Sequence, residues 1–445
     1  MRAEIGRSPV SAPVRGAGLG LLIAGILILA FNLRAAITSL PPLFPELHTS
    51  MHLSPAGQAL LAAIPVLCFG VFSGVAAPLS RAFGEERVLG TALVLLAGGL
   101  AMRGAAPGTL LFPGTVLAGG AIALMNVLLP SLVKRRRPER AGLLIGMYLA
   151  AMSTGAIIGS LIAVPVYQAA GSGTGAVRIT LGLWAVPALI GAAAWLPQLR
   201  YRTTPPAGPL PEGEEALLAE PGRSGATAPR SASARHDTGL QPAAAAAART
   251  SRPLWRTALT WQVTLFMGLQ SAVYYASLSW FPTMFRDRGV SAVDAGTLLA
   301  VMNLGNAVAA LLVPVLAHRL RSQQWLSVGM AAALAIGLTG SAFGPVGGSA
   351  VFTLVLGLGQ GSSLGLAIYF TMARAPDPVT SASLSAFAQS VGYLLASLGP
   401  LLVGFLHTAT GGWAASIVLL LGVVAVLLAS GWLAGRDQTV PALVR

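Results

Sequence analysis

Charge is what this 445-residue chain has least of. Asp, Glu, Lys and Arg make up 9% of it, against about 25% in a soluble globular protein, so a solvated globular fold is excluded. Lysine is nearly missing, with Lys134 alone against 27 Arg. The single cysteine, Cys68, lies in an apolar run, which rules out a disulfide within the chain and any paired-thiol redox motif. The five His, at 48, 52, 236, 318 and 407, avoid the centres of apolar runs and lack metal-ligand spacing. All 14 acidic residues fall in loops or at the ends of apolar runs, among them Glu46, Asp287, Asp294 and Asp377, so no buried carboxylate relay for protons is in view. Glu46 and His48, just past the first run, are the groups that could titrate at an outer mouth. There is no H-E-x-x-H, G-x-S-x-G or Walker pattern, and Gly357-x-Gly359-x-Gly361 lies in an apolar helical run rather than after a strand. No enzyme activity, cofactor or metal is expected.

What is abundant is apolar length. Hydrophobic residues are 55% of the chain, and they form about twelve runs of bilayer-spanning length, near 17–40, 55–80, 87–103, 108–134, 141–169, 177–197, 257–285, 292–318, 324–343, 348–374, 379–407 and 412–434. The expected class is therefore an all-α membrane protein of twelve transmembrane helices, with the lipid bilayer as its solvent. A net charge of +14 would point to nucleic acid in a soluble protein, but here the arginines flank apolar helices, and no nucleic-acid role is assigned. Nothing after the first run resembles a small-residue cleavage site, so that helix is expected to be retained.

Those arginines divide unequally between the two sets of loops. Roughly 23 basic residues fall on one side and 4 (Arg103, Arg178, Arg286 and Arg288) on the other, or about 15 against 4 without the long central loop. The expected site is a cytoplasmic (inner) membrane, with both termini cytoplasmic. Segment 198–256, with Pro205-Pro206, Glu214-Glu215 and the run Ala243 to Ala248, reads as a disordered cytoplasmic linker. It separates a six-helix bundle at 17–197 from a second at 257–435, with tails at 1–16 and 436–445. A shift of about 240 residues superposes Pro42 on Pro282, Arg81 on Arg321, Gly119 on Gly359, Lys134 on Arg374 and Gly159 on Gly399. Two halves repeated in parallel are the arrangement of major facilitator transporters. On this register Arg34 falls on Tyr274.

Arg34 is the one charge this reading places inside the membrane, about two thirds of the way along the first helix. An arginine there costs at least about 2.5 kcal/mol on insertion scales, so it should face a protein-lined cavity. Its planar donors suit a small anion, which makes it the leading candidate for substrate recognition. Asn32 and Thr38 accompany it on the first helix, and Gln270 and Tyr274 supply polar handles on the seventh. Asn126 with Tyr148, and then Gln360, Gln389 and Tyr393, extend the candidate substrate-binding set. The alternative for Arg34 is structural, pairing with helix carbonyls or snorkelling outward. For the tyrosines it is interfacial anchoring, and for Asn126 interhelical hydrogen bonding. Gly155-x-x-x-Gly159 reads as close helix packing.

The chain closely resembles the cyanate and nitroimidazole transporter (CynX/NimT) family of the major facilitator superfamily. The resemblance is carried by Asn32-Leu33-Arg34 with Ile37-Thr38-Ser39, by Pro65-Val66-Leu67-Cys68-Phe69-Gly70, by Asn126 to Lys134, by Trp280-Phe281-Pro282, and by Leu384 to Tyr393 with Gly399-Pro400. It implies a secondary transporter, monomeric by family expectation, that moves a cyanate-like or nitroimidazole-like small molecule by alternating access, with protons or another ion as coupling partner. The loop after the second helix departs from the superfamily pattern: Arg81 stands in the usual Asp slot, and Glu85 and Glu86 in basic ones. With Lys134 and Arg374 these form the candidate inner gate, or else are solvated loop charges. Two other functions stay open, a broad-specificity exporter with Arg34 structural and a non-transporting membrane sensor.

Overall fold

Pro and Gly punctuate the apolar runs, and helices begin where a cap is available. Ser54, Ser291 and Asp377 each accept backbone N–H groups at a helix start. A computed structural model describes residues 17–200 and 254–441; the tail 1–16, residues 201–253 of the expected linker and residues 442–445 lie outside the described residues. The helices are α1 (Ala17–Thr38), α2 (Phe44–Met51), α3 (Pro55–Phe83), α4 (Glu85–Ala105), α5 (Pro107–Arg136), α6 (Ala141–Ala169), α7 (Gly173–Gly182) and α8 (Ala185–Trp195) in the first half. In the second half they are α9 (Ala258–Asp287), α10 (Ala292–Arg319), α11 (Gln324–Phe343), α12 (Ser349–Ala373), α13 (Pro378–Ala396), α14 (Leu398–Thr410) and α15 (Ala414–Ala434).

Two expected spans are broken. The sixth divides into α7 and α8, where Pro187 lacks the N–H that would bond back to Leu183, and the eleventh divides at Ser397, just ahead of Gly399-Pro400. Beyond α1, Pro41 and Pro42 open a short 3₁₀ turn leading into α2, a helix the apolar runs did not announce. Among the described residues, eleven helical segments are long and apolar enough to cross a membrane. The remaining span, α9, is 30 residues long but carries Gln262, Gln270, Tyr274, Tyr275 and Ser279. It can afford them because almost all of its middle is buried in protein rather than lipid.

The halves repeat in packing as well as in sequence. In the first, α1 packs on α6 and α8, α4 on α5 and α8, and α3 on α5; in the second, α9 packs on α13 and α15, α11 on α12 and α15, and α10 on α12. Between the halves α3 meets α13 and α14, and α10 meets α6, again as equivalents. The fold is thus a pseudo-twofold pair of six-helix bundles. Small residues permit the tight approaches: a Cβ at Gly159 would lie 2.6 Å from Ala35 O, and one at Gly155 would collide with Phe31 O, so α6 lies directly on α1. That contact fixes the face of α1 that carries Arg34.

Candidate functional site

Arg34 projects from α1 toward α9, where its Cζ lies 5.0 Å from the Tyr274 ring centroid and 5.8 Å from that of Tyr275. The two rings stand edge to face, 5.1 Å apart at 77°, and they offer the guanidinium the negative faces of their π systems. Nη1 of Arg34 is buried without a hydrogen-bond partner. Among the described residues no carboxylate forms an ion pair with Arg34, so the charge is cushioned by aromatics rather than neutralised. Tyr148 and Tyr393 lie within electrostatic range of the guanidinium. A small cavity of about 30 Å³ opens beside it, lined by Arg34, Ser153, Tyr274, Asn303, Asn306 and apolar residues of α6, α10 and α12.

The position of this pair follows from symmetry. Arg34 and Tyr274 are equivalents under the 240-residue repeat, and equivalent residues can touch only where both lie close to the pseudo-twofold axis. The same is true of Glu46 and Arg286, also 240 apart, whose side chains form an ion pair between the halves. Arg34 therefore sits on the axis, midway between the two bundles, where neither half alone completes its surroundings.

The other expected substrate-binding residues divide into two groups. Tyr274 lines the cavity and donates its hydroxyl to Asn303 Oδ1 at 3.1 Å. Tyr393 packs edge-on against Phe69, 5.6 Å between centroids, and Phe69 also meets Tyr275 across the halves. Tyr148 donates to Asn126 Oδ1 at 3.2 Å, which joins the fourth and fifth spans. Gln360 is buried with both amide atoms unpartnered. The rest are engaged in the scaffold. Asn32 donates to Ile28 O and Pro187 O, which ties α1 to the proline break between α7 and α8. Thr38 donates to Arg34 O and Ala156 O. Gln270 donates to Met267 O and Ser271 Oγ, and Gln389 to Ser385 Oγ.

The candidate gate residues also separate. Arg81 and Lys134 are exposed, as solvated loop charges would be. Glu85 and Glu86 are fully buried in the first turn of α4, where a helix N-terminus favours carboxylates. Arg135 pairs with Glu85, and Arg136 with Glu86 at 2.7 Å, while Arg136 reaches on to Gln198 Oε1 at 2.7 Å, beyond α8. Arg374 plays the matching part in the second half: from the end of α12 it binds Gln323 before α11 and Ala434 O at the end of α15. Each latch holds three spans of one bundle together at the Glu85 end of the molecule.

At the opposite, Glu46, end the halves are joined. Glu46 pairs with Arg286, Phe44 packs on Trp280 with 5.9 Å between centroids, and a vestibule lined by His48, Gln58, Thr283, Arg286, Asp287 and His407 lies outside them. Arg103, expected in an outer loop, is instead 3% exposed inside the first bundle. Its Nη1 donates to Ala36 O at 3.3 Å, while Nε and Nη2 have no partner. Arg34 is thus not the only charge inside the membrane. The apolar-run count hid Arg103 because it lies in the last turn of α4, where sequence alone does not distinguish a snorkelling arginine from an inward one. The Glu46–Arg286 pair was missed too, although the 240-residue register contained it.

Comparison with known proteins agrees with this architecture. The family model described as Major Facilitator Superfamily matches residues 22–400. The chain is 35% identical over 430 residues to the 2-nitroimidazole transporter of Escherichia coli, covering 97% of this chain and 99% of that one. It is 26% identical over 408 residues to the cyanate transport protein CynX of the same organism, covering 91% and 95%. A solved structure of a bacterial homolog to the human lysosomal transporter Spinster, inward-facing and unoccupied, superposes with a TM-score of 0.70 at 15% identity over 95% of this chain and 98% of that one, which speaks to fold alone. With twelve spans in two repeated bundles and near full-length kinship to these relatives, the chain belongs to the CynX/NimT family of major facilitator superfamily transporters.

Proposed function

We propose that this transporter carries a compact polar or anionic organic solute, cyanate-like or nitroimidazole-like, and that Arg34 recognises it. The observation that carries the proposal is a guanidinium on the pseudo-twofold axis with a buried, unpartnered Nη1, no carboxylate partner and a cavity beside it. A structural arginine would be expected to find a carboxylate or a set of carbonyls, because an unpaired charge is costly away from water. A cyanate ion and a nitro group both present electron-rich oxygen to such a donor, and the Tyr274 and Tyr275 rings offer a flat aromatic surface beside it. The kinship to a nitroimidazole and a cyanate transporter supports the same range of solutes.

Alternating access follows from the placement of the contacts. The described joins between the halves run from the Arg34 level to the Glu46 end, where the ion pair and the Phe44–Trp280 contact seal the pathway. With the basic loops cytoplasmic, the sealed end is external and solute reaches Arg34 from inside. A solute bridging Arg34 and the second half would strengthen attraction across the axis. Closing the inner end and parting Glu46 from Arg286 then exposes the site to the other side.

The test is ligand-induced thermal stabilisation of the purified full chain, wild type beside Arg34→Gln, against small anions, neutral nitro-heterocycles and lipophilic cations. At a hundredfold excess over the dissociation constant a true ligand adds about 2.7 kcal/mol. Stabilisation of wild type alone by anions or nitro-heterocycles is the expected result. Equal stabilisation of both proteins by lipophilic cations would instead make this a broad-specificity exporter with Arg34 structural.

A further inference from the structure

Arg103 has a cavity of its own. It is narrow, about 20 Å³ between α1, α3, α5 and α9, and its walls are mostly apolar, among them Ala36, Leu61, Pro65 and Ile122. The polar groups in it are few: Arg103, Thr115, Tyr275 and Ser279. Thr115 and Ser279 spend their hydroxyl protons on the carbonyls of Leu111 and Tyr275, at 2.6 and 2.7 Å. Neither oxygen bonds Arg103, whose Nη1 goes to Ala36 O, and among the described residues no carboxylate forms an ion pair with Arg103. Two of its three guanidinium nitrogens, Nε and Nη2, are buried and unpartnered. They form one edge of the guanidinium, the edge that a carboxylate or pseudohalide engages with paired donors.

We infer that Arg103 is a second binding station for a small monovalent anion, between the Arg34 site and the sealed Glu46 end. Tyr275 is the wall the two stations share, since its ring is 5.8 Å from Arg34 Cζ and also lines the Arg103 cavity. Arg103 is further linked to the Arg34 segment by its bond to Ala36 O, half a turn along α1. An anion leaving Arg34 toward the Glu46 end therefore passes from one unpaired guanidinium to another instead of crossing an apolar plug. Two adjoining sites of moderate strength favour passage over trapping, because the ion is never bound so tightly that it cannot move on. The sequence also explains why the station lies within the first half. Arg103 stands where the 240-residue register places Phe343, so the second bundle has no counterpart.

This inference rests on the reading of Arg34 as an anion site, and the experiment separates the two. Thiocyanate, a linear pseudohalide that does not carbamylate amines, is titrated into the purified full chain while its C≡N stretch is followed by infrared spectroscopy. Wild type is expected to show two bound populations, Arg34→Gln to lose one and Arg103→Gln to lose the other. Removing one charge-assisted contact should weaken the affected site by about tenfold to a hundredfold. Ala62→Leu fills the Arg103 cavity without touching its charge, and it should suppress the same population as Arg103→Gln. It serves as the deciding variant should Arg103→Gln fail to fold. A single population, lost in Arg34→Gln and intact in both Arg103→Gln and Ala62→Leu, would overturn the second station and leave the central site standing. No bound population in any of the proteins would overturn both.

Discussion

At the Glu85 end of the first bundle four charges are drawn together as two ion pairs, whereas farther along it two arginines, Arg103 buried and Arg34 half-buried, stand with no carboxylate partner. Glu85 and Glu86 are each 0% exposed and each matched by an arginine of α5. Arg34 and Arg103 keep unpartnered nitrogens facing cavities. Both arrangements pay desolvation, but only the first recovers it within the protein. The difference teaches how to sort buried charge in a transporter: matched charge holds helices in place, and unmatched charge is, on the function proposed above, arranged for a solute.

The largest effect that would sharpen this contrast is on stability. Glu86→Gln leaves Arg136, 15% exposed, facing a neutral amide. Breaking a buried pair from one side costs about 3 kcal/mol. Thermal melting in detergent should fall accordingly, while the folded fraction keeps its solute affinity. A loss of affinity without a loss of stability would break the comparison by making the latch part of the binding site. Next comes Arg34→Gln, with the opposite signature. Removing an unpaired charge should leave melting unchanged or raise it, and transport measured in proteoliposomes should fall by about tenfold to a hundredfold for the loss of a charge-assisted contact.

A smaller effect is expected where the halves meet. The Glu46 side chain is only 9% exposed, but that of Arg286 is 29% exposed. The pair therefore resembles a surface bridge worth about 1 kcal/mol, or roughly a fivefold shift between inward- and outward-open populations. Glu46→Gln should raise labelling of a cysteine placed at Ser279, in a Cys68→Ser background, by about that factor. Unchanged labelling would show that the Phe44–Trp280 contact alone seals the end.

Most of the architecture was legible in the sequence, because bilayer thickness imposes one length on every span and proline and glycine mark the breaks. The repeat register went further than composition could. By placing Arg34 on Tyr274 it anticipated a contact across the axis, and it held Glu46 on Arg286 as well. What could not be read was direction. Asn32, Thr38 and Gln270 look like cavity residues by polarity and spacing, yet each turns to a backbone carbonyl of its own or a neighbouring helix. In an apolar helix, a polar side chain's nearest acceptor decides where it points, and that acceptor belongs to a neighbour the sequence does not name. Arg103 was obscured for the same reason: at a helix end, only the neighbours determine whether a long side chain runs inward or out.

The smallest predicted effect separates the ring of Tyr274 from its hydroxyl. The ring faces Arg34 and the hydroxyl donates to Asn303, so the residue belongs at once to the unmatched centre and to a matched hydrogen bond. Tyr274→Phe keeps the aromatic face and removes a single neutral bond, worth about 0.5–1.5 kcal/mol. Asn303 Nδ2 remains held by Leu299 O, so the amide should stay in place with its oxygen freed toward the cavity. Solute affinity should then weaken only a few-fold, because the guanidinium still has its aromatic support. Tyr274→Leu, which removes both, should weaken it further by the cation–π contribution of about 0.5–2 kcal/mol. If the two variants behave alike in a binding titration, the hydroxyl and not the ring is what Arg34 relies on, and the centre is closer to the matched latches than its geometry implies.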